Sequence, residues 1–85
     1  MYYVYALQSL RNKAWLYIGC SDDLKIRVET HNEGKVKSTR FYRPLRLVYY
    51  EAYLNKNDAA KREYELKDNS QQKEILKNRI LNSLV

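Results

Sequence analysis

The chain has one cysteine, one proline, one histidine and two glycines among its 85 residues. A single cysteine, Cys20, excludes an internal disulfide. So little Pro and Gly leaves no linker and no low-complexity segment, and no internal repeat is found, so residues 1–85 are expected to form a single domain. No apolar run is long enough to serve as a signal sequence or to span a membrane, and a cytoplasmic protein with no membrane partner is the expectation. There is no Walker A loop, no Cys/His zinc spacing, no nucleophile elbow and no dinucleotide-binding fingerprint, which sets those enzyme classes aside.

Aromatic and basic residues take the place of what is absent. A chain this short buries a small fraction of its surface, so its core is thin. Nine Tyr, one Trp and one Phe supply area to that core, and each Tyr keeps a polar end able to reach water or a partner. The net charge is +6 and the pI near 9.5. That total is ordinary for a soluble domain, so the distribution carries more weight. Between Gly34 and Leu47 lie five basic residues (Lys35, Lys37, Arg40, Arg43 and Arg46) and no acid, interleaved with Phe41 and Tyr42. A basic stretch with aromatics suits phosphate contacts, and Lys35, Lys37, Arg40 and Arg43 are candidate nucleic-acid-binding residues; a solvated basic loop is the plainer alternative.

Tyr2 to Leu7 and Trp15 to Cys20 are β-prone runs joined by a polar connection, which predicts a hairpin. Period two places Tyr3, Tyr5 and Leu7 on one face, and Trp15, Tyr17 and Gly19 on one face of the partner strand. Ser21-Asp22-Asp23 caps a helix reaching about Asn32, with Gly34 as its stop. On it Leu24 and Val28 form an apolar stripe, and Arg27 and His31 share a side at i and i+4. Leu45 to Leu54 predicts a third strand. Asn55 or Asn57 opens a second helix to about Asp68, and Asn69 or Ser70 a third carrying Leu76, Ile80 and Leu84. The order β-β-α-β-α-α implies an α+β fold with a three-stranded antiparallel sheet flanked by helices. On the second helix Ala59, Ala60, Tyr64 and Leu66 define an apolar arc that contains Glu63. A carboxylate there is costly unless it is paired or metal-bound.

The ordered set Tyr3-Val4-Tyr5, Tyr17-Ile18-Gly19, Arg27, His31, the stretch from Arg43-Pro44 to Tyr50-Glu51, and Glu63 resembles the GIY-YIG nucleases. The resemblance covers Tyr3 to about Asp68. It is closest to small stand-alone bacterial members of the UPF0213 type, because Cys20 stands where the excinuclease branch has a Lys. The resemblance implies the fold just described and a metal-dependent endonuclease cleaving DNA. In that reading Tyr5 is the base, its proton moving toward His31 or Tyr17. Arg27 neutralises the phosphate, and Glu63 holds a divalent cation, Mg²⁺ or Mn²⁺. An unperturbed Tyr pKa near 10 makes a tyrosinate dependent on help from the metal and from Arg27. The family's late metal-proximal Asn has no match among Asn69, Asn78 and Asn82.

Each residue also has a plainer reading. Tyr5 and Tyr17 suit a core; Arg27 suits an ion pair with Glu29 or Asp23, and His31 a helix C-terminus. Glu63 suits a bridge to Arg62 or Lys67. Two other function classes therefore compete with the nuclease: a nucleic-acid-binding module of the same fold with little or no catalysis, and a protein-interaction domain anchored by Tyr42 and Tyr53. RNA, branched DNA and damaged DNA are partners alongside DNA, and spacing does not choose among them.

Overall fold

The two β-prone runs at the start of the chain pair with each other, and the first also pairs with the third. In the computed structural model, which describes residues 1–85, β1 (Tyr2–Ser9) and β2 (Leu16–Ser21) form an antiparallel hairpin. β3 (Leu45–Tyr53) runs antiparallel along the other side of β1, giving the strand order β2-β1-β3. Helix α1 (Leu24–Asn32) follows β2, while α2 (Lys56–Asp68) and α3 (Ser70–Arg79) follow β3, so the element order β-β-α-β-α-α and the α+β fold are as expected. Short 3₁₀ turns cover Arg40–Tyr42 and Leu81–Ser83.

Central β1 is buried from Val4 through Ser9, and alternation divides its side chains between two small cores. Val4, Ala6 and Ile18 pack against Ala59, Leu66, Leu76 and Ile80 of α2, α3 and the turn after them. On the opposite face Tyr5, Leu7 and Leu45 pack with Trp15, Tyr17, Leu24, Val28, Tyr42 and Leu47. The sheet thus lies between α1 on one side and α2 with α3 on the other, and β2 is a free edge between them.

Local chemistry fixes the helix ends. The Asp23 carboxylate accepts the Ile26 N–H at 3.1 Å and caps α1. Past its end Gly34 adopts φ +80°, open only to glycine without strain, and its N–H donates to the His31 carbonyl at 3.1 Å. Asn55 and Asn69 are the caps of α2 and α3, accepting from Asn57 N–H at 2.8 Å and from Gln71 N–H at 3.0 Å.

The apolar arc expected on α2 needs a correction. Tyr64 is 67 % exposed and Ala60 is exposed, so the buried stripe is Ala59 and Leu66, flanked by half-buried Arg62 and Glu63. Tyr is apolar only in its ring, and its hydroxyl makes the outward position acceptable. Leu54 is likewise exposed and lies beyond the end of β3.

Candidate functional site

Tyr5 and Gly19 are directly opposed on β1 and β2, and Tyr17 opposes Leu7, so Tyr5 and Tyr17 are diagonal neighbours on the α1 face. Their ring centroids are 6.4 Å apart. Tyr5 lies across the backbone of Gly19: a Cβ there would sit 2.4 Å from the Tyr5 hydroxyl and 2.5 Å from Cζ. The glycine of the Tyr-Ile-Gly tripeptide is therefore a passage for the Tyr5 phenol toward the sheet edge.

At the end of that passage three groups meet. The Tyr5 hydroxyl is 2.8 Å from His31 Nε2 and accepts the Arg27 Nε–H at 3.2 Å. His31 is fully buried, and its Nδ1 is 2.8 Å from the hydroxyl of Thr39, itself fully buried. The Thr39 hydroxyl donates to the Val36 carbonyl at 3.4 Å. With that proton placed, His31 carries its own on Nδ1 and offers Nε2 as the acceptor for the Tyr5 O–H. Tyr17 stands edge-on to the imidazole at 5.1 Å. Thr39 has no signal in the sequence, because its partner lies eight residues away across a non-helical turn.

Burial sets the protonation of this chain of groups. Desolvation, helped by the nearby Arg27 charge, drives the His31 pKa down to about 4. Desolvation pushes the Tyr5 phenol up to about 12, outweighing the opposing pull of Arg27. The expected help from Arg27 is present, yet burial wins, so the resting site holds a neutral phenol against a neutral imidazole. The alternative pairing of Arg27 with Glu29 or Asp23 does not form; its partner is Tyr5.

Glu63 arrives from the opposite side of the sheet. Its carboxylate is 3.3 Å from Lys67 Nζ, and that nitrogen lies 5.3 Å from the Tyr17 ring centroid. One ammonium thus joins the α2 carboxylate to the α1-face tyrosine around the free edge of β2. Glu63 is also close enough to oppose ionisation of both Tyr5 and Cys20. Lys56 and Arg27 line a cavity of about 340 Å³ beside this edge, with Tyr2, Cys20, Ser21 and Asp22. Lys56 has no signal in the sequence; the Glu63–Lys67 bridge is the plainer reading expected for Glu63 and it forms, but the approach of Lys67 to Tyr17 depends on how α2 docks. Burial raises the Cys20 thiol, consistent with a packing role.

No three residues among His, Cys, Asp and Glu cluster as a preformed metal cage. Every buried polar side-chain atom has a partner, so none is left orphaned toward an ion. The Glu63 carboxylate, paired with Lys67, suits only a hard cation that keeps waters and takes its other ligands from substrate phosphates, as Mg²⁺ does.

The basic loop divides into engaged and free residues. Lys35 pairs with Glu33 at 3.4 Å. Arg43 folds back, donating from Nε to the Arg40 carbonyl at 2.7 Å, with its guanidinium against Gly34. Lys37 and Arg40 are exposed, and Arg40 lies 5.0 Å from the centroid of exposed Phe41. Tyr42 and Tyr53 are not free anchors for a protein partner. Tyr42 stacks on Trp15 at 3.8 Å, and Tyr53 donates to Glu51.

Comparison with known proteins places this geometry. Residues 1–77 match the model of the GIY-YIG catalytic domain. The chain belongs to the GIY-YIG family. UPF0213 proteins of Staphylococcus aureus strains Mu50 and N315 are each 48 % identical to it over 61 residues, spanning 71 % of this chain and 74 % of theirs. The NMR solution structure of a UPF0213 protein from Bacillus halodurans superposes with a TM-score of 0.57 at 31 % identity, covering 94 % of this chain and 87 % of that one. The chain is thus a small bacterial-type GIY-YIG domain similar to UPF0213 proteins, and no helix in it is long and apolar enough to cross a membrane.

Proposed function

We propose that this GIY-YIG domain is a nucleic-acid-binding module with little or no cleavage activity of its own, holding a backbone phosphate at the β2 edge. The observation that carries this reading is the state of Glu63: its carboxylate is already ion-paired to Lys67 at 3.3 Å, and no three metal-ligating side chains cluster in the structure. Around it Arg27, Lys56 and Lys67 present cationic donors, which suit a phosphate oxygen without reading sequence. Lys37 and Arg40 extend the contact along the backbone, with Lys35 and Arg43 contributing once released from their intramolecular partners. DNA is the first partner in this reading, with RNA and branched or damaged DNA as further partners offering the same backbone phosphates.

A second reading, a metal-dependent endonuclease, is favoured by one specific observation: the Tyr5 O–H is aimed at neutral His31, which is backed by Thr39. In that reading Tyr5 orients and deprotonates a water while its own proton passes to Nε2, Arg27 neutralises the phosphate, and Tyr17 completes the wall. A divalent cation on Glu63, Mg²⁺ or Mn²⁺, would supply further charge neutralisation.

A panel of labelled single-stranded, duplex, branched and damaged DNA and of RNA, incubated with Mg²⁺ or Mn²⁺, separates the two. The binding reading expects salt-sensitive retention with strands intact. Cleavage that disappears in Glu63→Gln, while fold and binding persist, would transfer the assignment to the endonuclease.

A further inference from the structure

Helix α2 is held differently on its two flanks, and the difference bears on where Glu63 points. At about 100° per residue, Ala59 and Leu66 form the floor of the helix, Arg62 lies to one side and Glu63 with Lys67 to the other. The floor rests on Val4 and Ala6 of β1 through apolar contact alone, which resists separation but carries no direction. On the β2 flank, the Glu63–Lys67 pair is partly open to solvent and lies within the helix itself. Such pairs are weak and do not fix a helix against a sheet.

The β3 flank is different. Arg62 Nε donates to both oxygens of Glu51 at 3.0 and 3.1 Å, and its side chain is only 22 % exposed against 17 % for Glu51. Glu51 also accepts the hydroxyls of Tyr49, at 2.7 Å, and Tyr53. Those residues oppose Val4, Ala6 and Tyr2 in the register, so Tyr49, Glu51 and Tyr53 share the face on which α2 lies. Arg62 also reaches Glu65 at 3.4 Å. No other side chain of α2 is hydrogen-bonded to the sheet.

We propose that Glu51 and Arg62 are positioning residues: their bond sets the roll of α2 about its axis and thereby aims Glu63 and Lys67 at the β2 edge beside Tyr17. Removing it leaves a helix seated on a smooth apolar floor, free to turn, with Glu63 and Lys67 moving away from the tyrosine. The inference rests on the place of Glu63 in the proposed site, and its test does not require nucleic acid or metal.

The Lys67 ε-methylene is the reporter, because an ammonium lying over Tyr17 carries that methylene into the ring current. In NMR spectra of the full chain, the wild type is expected to show Lys67 ε-protons shifted upfield of an ordinary lysine. In Arg62→Met, which keeps the aliphatic stem and leaves Glu51 its two phenol donors, that shift should fall by at least half. The Leu76 methyl signals and the His31 signals should stay where they are, and Arg62→Lys should restore part of the shift. Glu51→Gln, measured alongside, should give the same loss, so failure of one variant to fold leaves the other to decide. A folded Arg62→Met or Glu51→Gln protein that melts earlier but keeps the full Lys67 shift would overturn the proposal and make the bond purely structural. Failure of the wild type to bind oligonucleotides is a separate result: it would refute the functional reading and leave the positioning result standing.

Discussion

Gly19→Ala is the smallest change that the geometry forbids. The new methyl would fall 2.4 Å from the Tyr5 hydroxyl, 2.5 Å from its Cζ and 3.0 Å from Tyr17 Cε2. Tyr5 is 1 % exposed and held by His31 and Arg27, so its ring has no free volume into which to retreat. Overpacking of this kind costs about 1–3 kcal/mol. Swinging the ring aside instead breaks its bond to His31, and an unpartnered buried acceptor costs about 1–3 kcal/mol. A loss of about 3 kcal/mol in a domain of this size lowers the melting temperature by roughly 12–24 °C. Thermal unfolding followed by circular dichroism reads the loss directly. A second arm identifies its cause: Tyr5→Leu removes both offending atoms, so Gly19→Ala in that background should cost far less than in the wild type. Equal costs in the two backgrounds, or a Gly19→Ala protein that melts with the wild type, would refute the claim that this glycine exists to let Tyr5 pass.

Further outcomes follow from the buried polar chain and the basic loop. His31 has a folded pKa near 4, below its unfolded value. Both states are neutral above about pH 6.5, and as the pH falls from there toward 4 the unfolded chain alone takes up a proton, removing roughly 3 kcal/mol of stability. The stability advantage of the wild type over His31→Gln should therefore narrow across that window in urea titrations, and a constant difference would contradict the buried neutral imidazole. Thr39→Val leaves the His31 Nδ1–H without its acceptor and should cost about 1–3 kcal/mol, read from the urea midpoint; no change would mean that another acceptor replaces the hydroxyl. Lys37→Glu with Arg40→Glu should reduce the salt dependence of oligonucleotide binding by about 0.7–0.9 for each phosphate no longer neutralised, whereas an unaltered slope would remove the loop from the binding surface.

The elements and their order are readable because each rests on local pattern: two short aromatic runs, a carboxylate-capped helix with Gly34 after it, and asparagine caps before the last two helices. The proximity of Tyr5, Tyr17, Arg27 and His31 follows from strand alternation and the i, i+4 spacing of the helix beside them. What is not readable arises where elements far apart in the chain meet. Thr39 becomes a partner of His31 only once the loop folds beneath α1. The place of Lys56, the approach of Lys67 to Tyr17 and the Glu51–Arg62 bond depend on how α2 docks across the sheet. Arg43 reads as a free cation because sequence cannot show a guanidinium folding back onto its own loop. Tyr64 reads as part of the buried arc because a tyrosine fits either side of a helix, and the true floor, Ala59 and Leu66, is narrower than the apolar pattern suggests.

Binding of a labelled oligonucleotide followed by fluorescence anisotropy from low to high salt tests the central claim most directly. The account predicts tight binding at low salt, a linear fall of log K with log salt at roughly −0.7 to −0.9 per phosphate neutralised, and weaker binding at every salt concentration in Arg27→Ala. No binding at the lowest salt, or binding that ignores both salt and Arg27, would contradict it.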